Sequence, residues 1–259
     1  MTAQLKCEHL GATMVLTISN PGHRNALGPD IYAAGIEAIQ AADGNPEVRS
    51  VVIAGEGDTF CAGGNLQRLL GNRQQPPQVQ ADSIEGLHTW VEALRSLPKP
   101  VIVAVEGACA GAGFSLALAS DFIIAAQNSI FVMAYSNIGI SSDGGASWNL
   151  MHMVPRATAL QLLMCGERIG AERLYQLGVI NRVTEPGQAL AQALALADNL
   201  NAKAPNALAS FKELANNAFA QPLSTQLQQE RDHFVRNLHH ANGGEGIQAF
   251  LDKRRPVFV

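Results

Sequence analysis

The segment Val101–Ser120, VIVAVEGACAGAGFSLALAS, constrains the fold more than any other. It opens with a β-branched run, passes through small residues, and resumes as an apolar stretch long enough for a helix. Gly107, Gly111 and Gly113 stand where strand gives way to helix, and a turn of Gly and Ala lets a ligand approach the main chain closely. The first amides of a helix have no internal partner and lie at the positive end of its dipole. Such a junction can hold an oxygen that becomes negative during a reaction. A second glycine-rich turn, Gly55–Leu66 (GEGDTFCAGGNL), follows the apolar strand Val51–Ala54. Two such turns can supply two amide donors to one oxygen.

The rest of the chain places these turns in an α/β domain. Lys6–His9 and Val15–Ser19 read as strands about Gly11, Pro29–Ala42 as a helix closed by Gly44, and Arg49–Ala54 as a buried strand. Gln67–Gln80 is polar, carries Pro76 and Pro77, and reads as a loop; Asp82–Leu97 reads as a helix that stops before Pro98 and Pro100. Val101–Val105, Phe122–Ala125 and Ile130–Met133 read as strands, with Gly111–Ser120 a helix between the first two. The alternation predicts mostly parallel pairing with helical crossovers. Beyond Gly144 the reading is helical: 145–154, 156–164, 171–177, 186–203, 206–219, 224–238 and 246–252, with one short strand at Val179–Val183. Residues 1–195 are therefore expected to form an α/β core and residues 196–259 a helical C-terminal region.

Composition narrows the function. Charged residues make up 15% of the chain, against ~25% in soluble proteins generally, which points to surface buried against a second copy. The net charge of −4 gives no general attraction to nucleic acid or an anionic membrane. Cys7, Cys61, Cys109 and Cys165 are scattered, with no metal-type spacing, and read as reduced, mostly buried thiols of a cytoplasmic protein. The N-terminus has no signal-peptide apolar core. Glu106, Asp121 and the glycines argue against a membrane span at Val101–Ala126. Neither Gly111-Ala-Gly113 nor Gly55-Glu-Gly57 continues into a dinucleotide fingerprint, and there is no phosphate-loop GK[ST]. His233, His239 and His240 lie in a polar helix and read as surface residues rather than metal ligands.

The segments NPGHRNAL (20–27), GEGDTFCAGGNL (55–66), PKPVIVAVEGACAGAGFSLALASD (98–121) and FVMAYSNIGISSDGG (131–145) together resemble the crotonase, or enoyl-CoA hydratase/isomerase, superfamily. GERIGAERLYQLGVINRV (166–183) and FLDKRRPVF (250–258) extend the resemblance over nearly the whole chain, in order. The resemblance implies a spiral of ββα units with a helical C-terminal trimerisation region, assembled as a homotrimer or a dimer of trimers. It implies an acyl-CoA thioester substrate, with coenzyme A part of the substrate and no metal or other cofactor. By position, the amides of Ala62 and Ala112 would hold the thioester oxygen, flanked by Gly63 and Gly111; Ala112 stands where the family usually has Gly. Arg24 and Lys253, with Arg254, would meet the CoA phosphates. Two fixed amides favour an enolate over the neutral carbonyl, each donor contributing ~3 kcal/mol in the transition state.

The acid–base groups depart from the hydratases. The resemblance puts their two glutamates at Ser115 and Tyr135, neither of which is an acid. Asp143, in SSDGG, stands instead where the single-Asp isomerases of phenylacetate catabolism carry their acid–base group. One carboxylate suffices to shift a double bond: it takes a proton from one carbon and returns it two carbons away. An apolar setting of Phe114, Ile138, Ile140 and Trp148 would strengthen such a base by desolvation. Other readings stand beside this one. Asp143 could cap the following helix. It could activate water in a hydratase. With Tyr135 and His88 it matches positions of the 4-chlorobenzoyl-CoA dehalogenases, which implies aryl-CoA hydrolysis. The loss of both glutamates also fits a non-catalytic acyl-CoA binder. The identity of the acyl group is not written in these motifs.

Overall fold

A computed structural model describes residues 3–259. The chain opens with β1 (Gln4–Leu10) and β2 (Thr13–Ser19), an antiparallel hairpin about Gly11. Next come α1 (Pro29–Gly44), β3 (Ser50–Gly55), α2 (Leu66–Asn72), α3 (Pro77–Ser96) and β4 (Val101–Val105). They lead to β5 (Ala108–Ala110), α4 (Ala112–Leu118), β6 (Phe122–Ala126), β7 (Ile130–Val132), α5 (Ala146–Met153) and α6 (Arg156–Cys165). The chain closes with β8 (Ile169–Gly170), α7 (Ala171–Gln176), β9 (Arg182–Thr184), α8 (Ala189–Asn201), α9 (Pro205–Asn217), α10 (Leu223–Leu238) and α11 (Ala241–Leu251).

Six strands form one sheet in the order β1-β2-β3-β4-β6-β9, parallel except for the first pair. A smaller sheet, β5-β7-β8, stands beside it. Passages such as β4-β5-α4 and β6-β7-α5 give one strand to each sheet before a helix, so the architecture is the expected mixed α/β winding. Strand alternation splits the core. Leu16, Ile18, Val51, Ile53, Val101 and Val103 join one buried cluster with Ile31 of α1 and Trp90 and Leu94 of α3. Val15, Val52, Ala54, Ile102, Ala104 and Ile124 face the other way, onto Ala189, Ala193 and Ala197 of α8. At roughly 25 cal/mol per Å² of apolar area, this two-sided burial dominates the fold's stability.

Three sequence expectations change. The stretch 67–80 is not a loop: Asn65 caps α2 by accepting a hydrogen bond from the Arg68 amide (3.1 Å), and Pro77 sits in the first turn of α3. The boundary expected at residue 195 falls within α8, an unbroken helix packed on the sheet, so the core runs to the end of that helix. His233 is buried rather than at the surface, with its ring against Arg236 (2.7 Å) and Glu213 (3.6 Å). The cysteines divide evenly, Cys61 and Cys109 buried and Cys7 and Cys165 exposed, all four as free thiols. No described helix is long and apolar enough to cross a membrane.

Candidate active site

The two glycine-rich turns are laced together. Cys61 and Cys109 form a parallel bridge. The Cys61 amide donates to the Ala108 carbonyl (3.0 Å), and the Ala110 amide donates to the Cys61 carbonyl (2.9 Å). Gly63, at φ +97°, brings its backbone against Ala110 and Ala112; a Cβ there would lie 2.9 Å from the Ala110 oxygen. A Cβ on Gly113 would lie 2.6 Å from Cys61 Cβ. Small residues thus let two backbone bends approach as closely as atoms allow.

Which amides remain free corrects the sequence assignment. The Ala62 amide donates to the carbonyl of Arg24 (3.0 Å) and has no proton to offer a substrate. The Gly63 amide points to Cys61 Sγ (3.3 Å). Among the described residues, Gly64 has no protein acceptor for its N–H, and neither has Ala112 at the first position of α4. Gly64 stands three residues beyond Cys61 and Ala112 three beyond Cys109, so the bridge register carries the two open amides forward together. The Gly111 amide is used in the second sheet, donating to the Val132 carbonyl (2.9 Å).

The loop 20–27 braces the first turn. Asn25, buried at φ +57°, donates from its side chain to the carbonyls of Glu56 (2.9 Å) and Thr59 (2.7 Å). The Leu27 amide donates to the Gly63 carbonyl (2.8 Å). Arg24, the next residue back, is exposed. Lys253 is exposed beyond α11, while Arg254 is held by Glu245 in a two-pronged pair (2.7 and 2.8 Å).

Asp143 lies half-buried in the turn before α5. Its side chain does not cap that helix, which begins after Gly145 without any side-chain cap. Instead Oδ1 accepts the phenol proton of Tyr135 (2.6 Å). The Tyr135 oxygen is in turn 3.1 Å from Ser115 Oγ, which lies 3.3 Å from the Gly111 carbonyl. Burial first, then the charge and hydrogen bond of Asp143, hold the Tyr135 proton far above its ordinary range, so the phenol stays a donor. Thus Ser115, Tyr135 and Asp143, distant in sequence, meet in one chain. A Cβ on Gly144 would lie 2.9 Å from Ser115 Cβ, so the Asp143 turn is pressed against α4.

The surroundings are less apolar than expected. Phe114 is buried against Phe131 (ring centroids 5.1 Å apart), yet Ile138, Ile140 and Trp148 are each about half exposed. Trp148 instead stacks on His152 (4.0 Å) and carries the Arg95 guanidinium (4.5 Å) at the wall of a cavity of about 660 Å³ between α3, α5 and α9. His88 is paired with Glu85 of its own helix (3.9 Å), and no described hydrogen bond joins it to Asp143. Tyr32 of α1, which sequence reading passed over, is buried within range of both Arg68 and Asp143, and burial pushes its hydroxyl up to about 12.

The chain is similar to known proteins over nearly its whole length. The family model for enoyl-CoA hydratase/isomerase matches residues 8–259. The 1,2-epoxyphenylacetyl-CoA isomerase of Escherichia coli K12 is 35% identical over 247 residues, covering 95% of this chain and 94% of its own. Carnitinyl-CoA dehydratase of Salmonella typhimurium LT2 is 32% identical over 262 residues, covering 100% and 99%. The crystal structure of an enoyl-CoA hydratase from Polaromonas sp. JS666 superposes with a TM-score of 0.98 at 64% identity, covering 98% of this chain and 99% of that one.

Proposed function

The chain belongs to the enoyl-CoA hydratase/isomerase family, and from that premise we propose that it shifts a double bond within an acyl-CoA thioester. The amides of Gly64 and Ala112 hold the thioester oxygen. Asp143 removes a proton from C2 of a 3-enoyl thioester, and the electron pair of that C–H bond enters a dienolate whose negative oxygen the two amides stabilise. The same carboxyl group then gives the proton to C4, leaving the double bond between C2 and C3. Every atom is conserved, and no second carboxylate is required. Gly63 and Gly111 shape the two bends, and Arg24 and Lys253 meet the CoA phosphates.

The observation that carries this reading is the hydrogen bonding of Asp143. Tyr135 is its side chain's one described partner, so one carboxylate oxygen is left for chemistry. The relative named as an isomerase supports it. A second reading, hydration of a 2-enoyl thioester with Asp143 activating water, draws support from the Polaromonas structure described as an enoyl-CoA hydratase. For the assembly we propose a homotrimer or a dimer of trimers, formed through α9–α11, where Phe211, Phe219, Phe234 and Phe250 are each more than half exposed.

Turnover of 3-enoyl-CoA and 2-enoyl-CoA, for the parent chain beside Asp143→Asn, tests the reading. Isomerisation should fall at least ~100-fold in the variant, within the range for a general acid–base group, with CoA-ester binding retained. Turnover of 2-enoyl-CoA alone would establish the hydratase reading. Binding of esters without turnover of either would leave a non-catalytic binder.

A further inference from the structure

A lone carboxylate that must carry a proton between two carbons needs a fixed orientation and one unencumbered oxygen. The geometry points to Tyr135 as the positioning residue that supplies both, with Ser115 holding its phenol in line. This inference rests on the assignment of Asp143 as the acid–base group.

The argument begins with the donors. A hydroxyl has one proton. The 2.6 Å contact spends the Tyr135 proton on Asp143 Oδ1. The one proton of the Ser115 hydroxyl faces two acceptors, the Gly111 carbonyl (3.3 Å) and the Tyr135 oxygen (3.1 Å), so Ser115 ties the phenol to the second bend. Tyr135 is 7% exposed and Ser115 fully buried, which removes water as a competing partner. The phenol also packs on the second bend: a Cβ at Gly111 would lie 3.8 Å from Tyr135 Cζ. The phenol end of Tyr135 thus meets Asp143 and lies beside the bend that carries the Ala112 amide. One rigid side chain sets the distance between base and oxyanion donor.

Fixing Oδ1 makes Oδ2 the oxygen that carries the proton. A carboxylate free to rotate would reach the two carbons with either oxygen and lose alignment with each flip; misplacement by about 1 Å can cost ~100-fold. Among the neighbouring elements, Tyr32 of α1 lies within range of the Asp143 carboxylate, and Tyr32 is itself within range of Arg68 of α2 and of the Cys61 thiol after β3, which burial pushes up to about 12. His88 lies on α3 next to Leu87, whose Cδ2 would be 3.2 Å from a Cβ at Gly144. None of these replaces the Tyr135 bond.

The test is the split between kcat and KM. In Tyr135→Phe kcat should fall about 10- to 100-fold while KM for the CoA ester holds within a few-fold, since ester binding is not what the phenol supplies. Ser115→Ala keeps the phenol and should lower kcat by less, so it reports even where Tyr135→Phe folds poorly. A kcat that stays at its parental value in both variants, or a loss carried by KM, overturns the positioning role. If Asp143→Asn is inactive and kcat still does not fall in either variant, only Tyr135 is reassigned; if Asp143→Asn retains turnover, the assignment of Asp143 itself falls.

Discussion

Cys61 and Cys109 face each other across a single parallel bridge, and the two backbone bends of the candidate site leave that bridge in step. No disulfide joins them; both thiols are buried and free. The spacing between the bends is set by backbone hydrogen bonds on either side and by the bareness of Gly113 against Cys61.

That contact predicts a contrast between two glycines. Gly113→Ala would place a methyl 2.6 Å from Cys61 Cβ and 2.8 Å from the Cys61 oxygen, with backbone on the far side. Overpacking of this kind costs about 1–3 kcal/mol, and prising the bends apart should lower kcat/KM about 100-fold. Gly64→Ala meets only Leu69 Cδ1, at 3.8 Å, and keeps its amide, so its stability should stay close to that of the parent. Urea unfolding of the two variants side by side measures the difference.

A second prediction concerns Lys212 of α9. Its ammonium group is nearly buried and donates to Asp121 Oδ2 (2.8 Å) and to the carbonyls of Leu94 (2.9 Å) and Lys99 (3.2 Å). Burial pushes Asp121 above its ordinary value and Lys212 below its own, so desolvation outweighs their mutual attraction. The pair orients α9 more than it stabilises the fold. Lys212→Met strands the carboxylate and should cost about 3 kcal/mol or more in unfolding free energy, the range for breaking a buried pair. An unchanged urea midpoint would contradict this.

The thiols give a third. Burial raises Cys109 well above the ordinary range, as it does Cys61, and both are inaccessible, whereas Cys7 and Cys165 are exposed. Iodoacetamide at about pH 8 should therefore alkylate Cys165 and Cys7 and spare Cys61 and Cys109 in the folded protein. Peptide mass spectrometry reads the pattern, and enoyl-CoA turnover should survive the labelling. Modification of Cys61 without unfolding would mean that the paired bends open.

Much of the fold can be read from residue order because its strongest signals are local. β-branched runs mark β2, β3 and β4, and alanines at fourfold spacing mark the buried face of α8. What escapes is set by partners far along the chain. β5 and β8 are three and two residues long and are held by pairing with β7, β5 also by the bridge to Cys61. α2 looks like a polar loop until Asn65 is seen to cap it. The candidate site divides in the same way. The expectations for Asp143 and Ala112 rest on their motifs. The choice of Gly64 over Ala62 depends on a carbonyl at Arg24, which no local pattern announces. The union of Ser115, Tyr135 and Asp143 likewise needs α4 and the turn before α5 to meet.

The bond from the Ala62 amide to the Arg24 carbonyl has a mechanical consequence. With Asn25 and Leu27 fastened to the same turn, the loop bearing Arg24 cannot be displaced without dragging the Gly63–Gly64 bend along. A displacement at the outer rim is therefore passed on to the Gly63–Gly64 bend through hydrogen-bonded peptide.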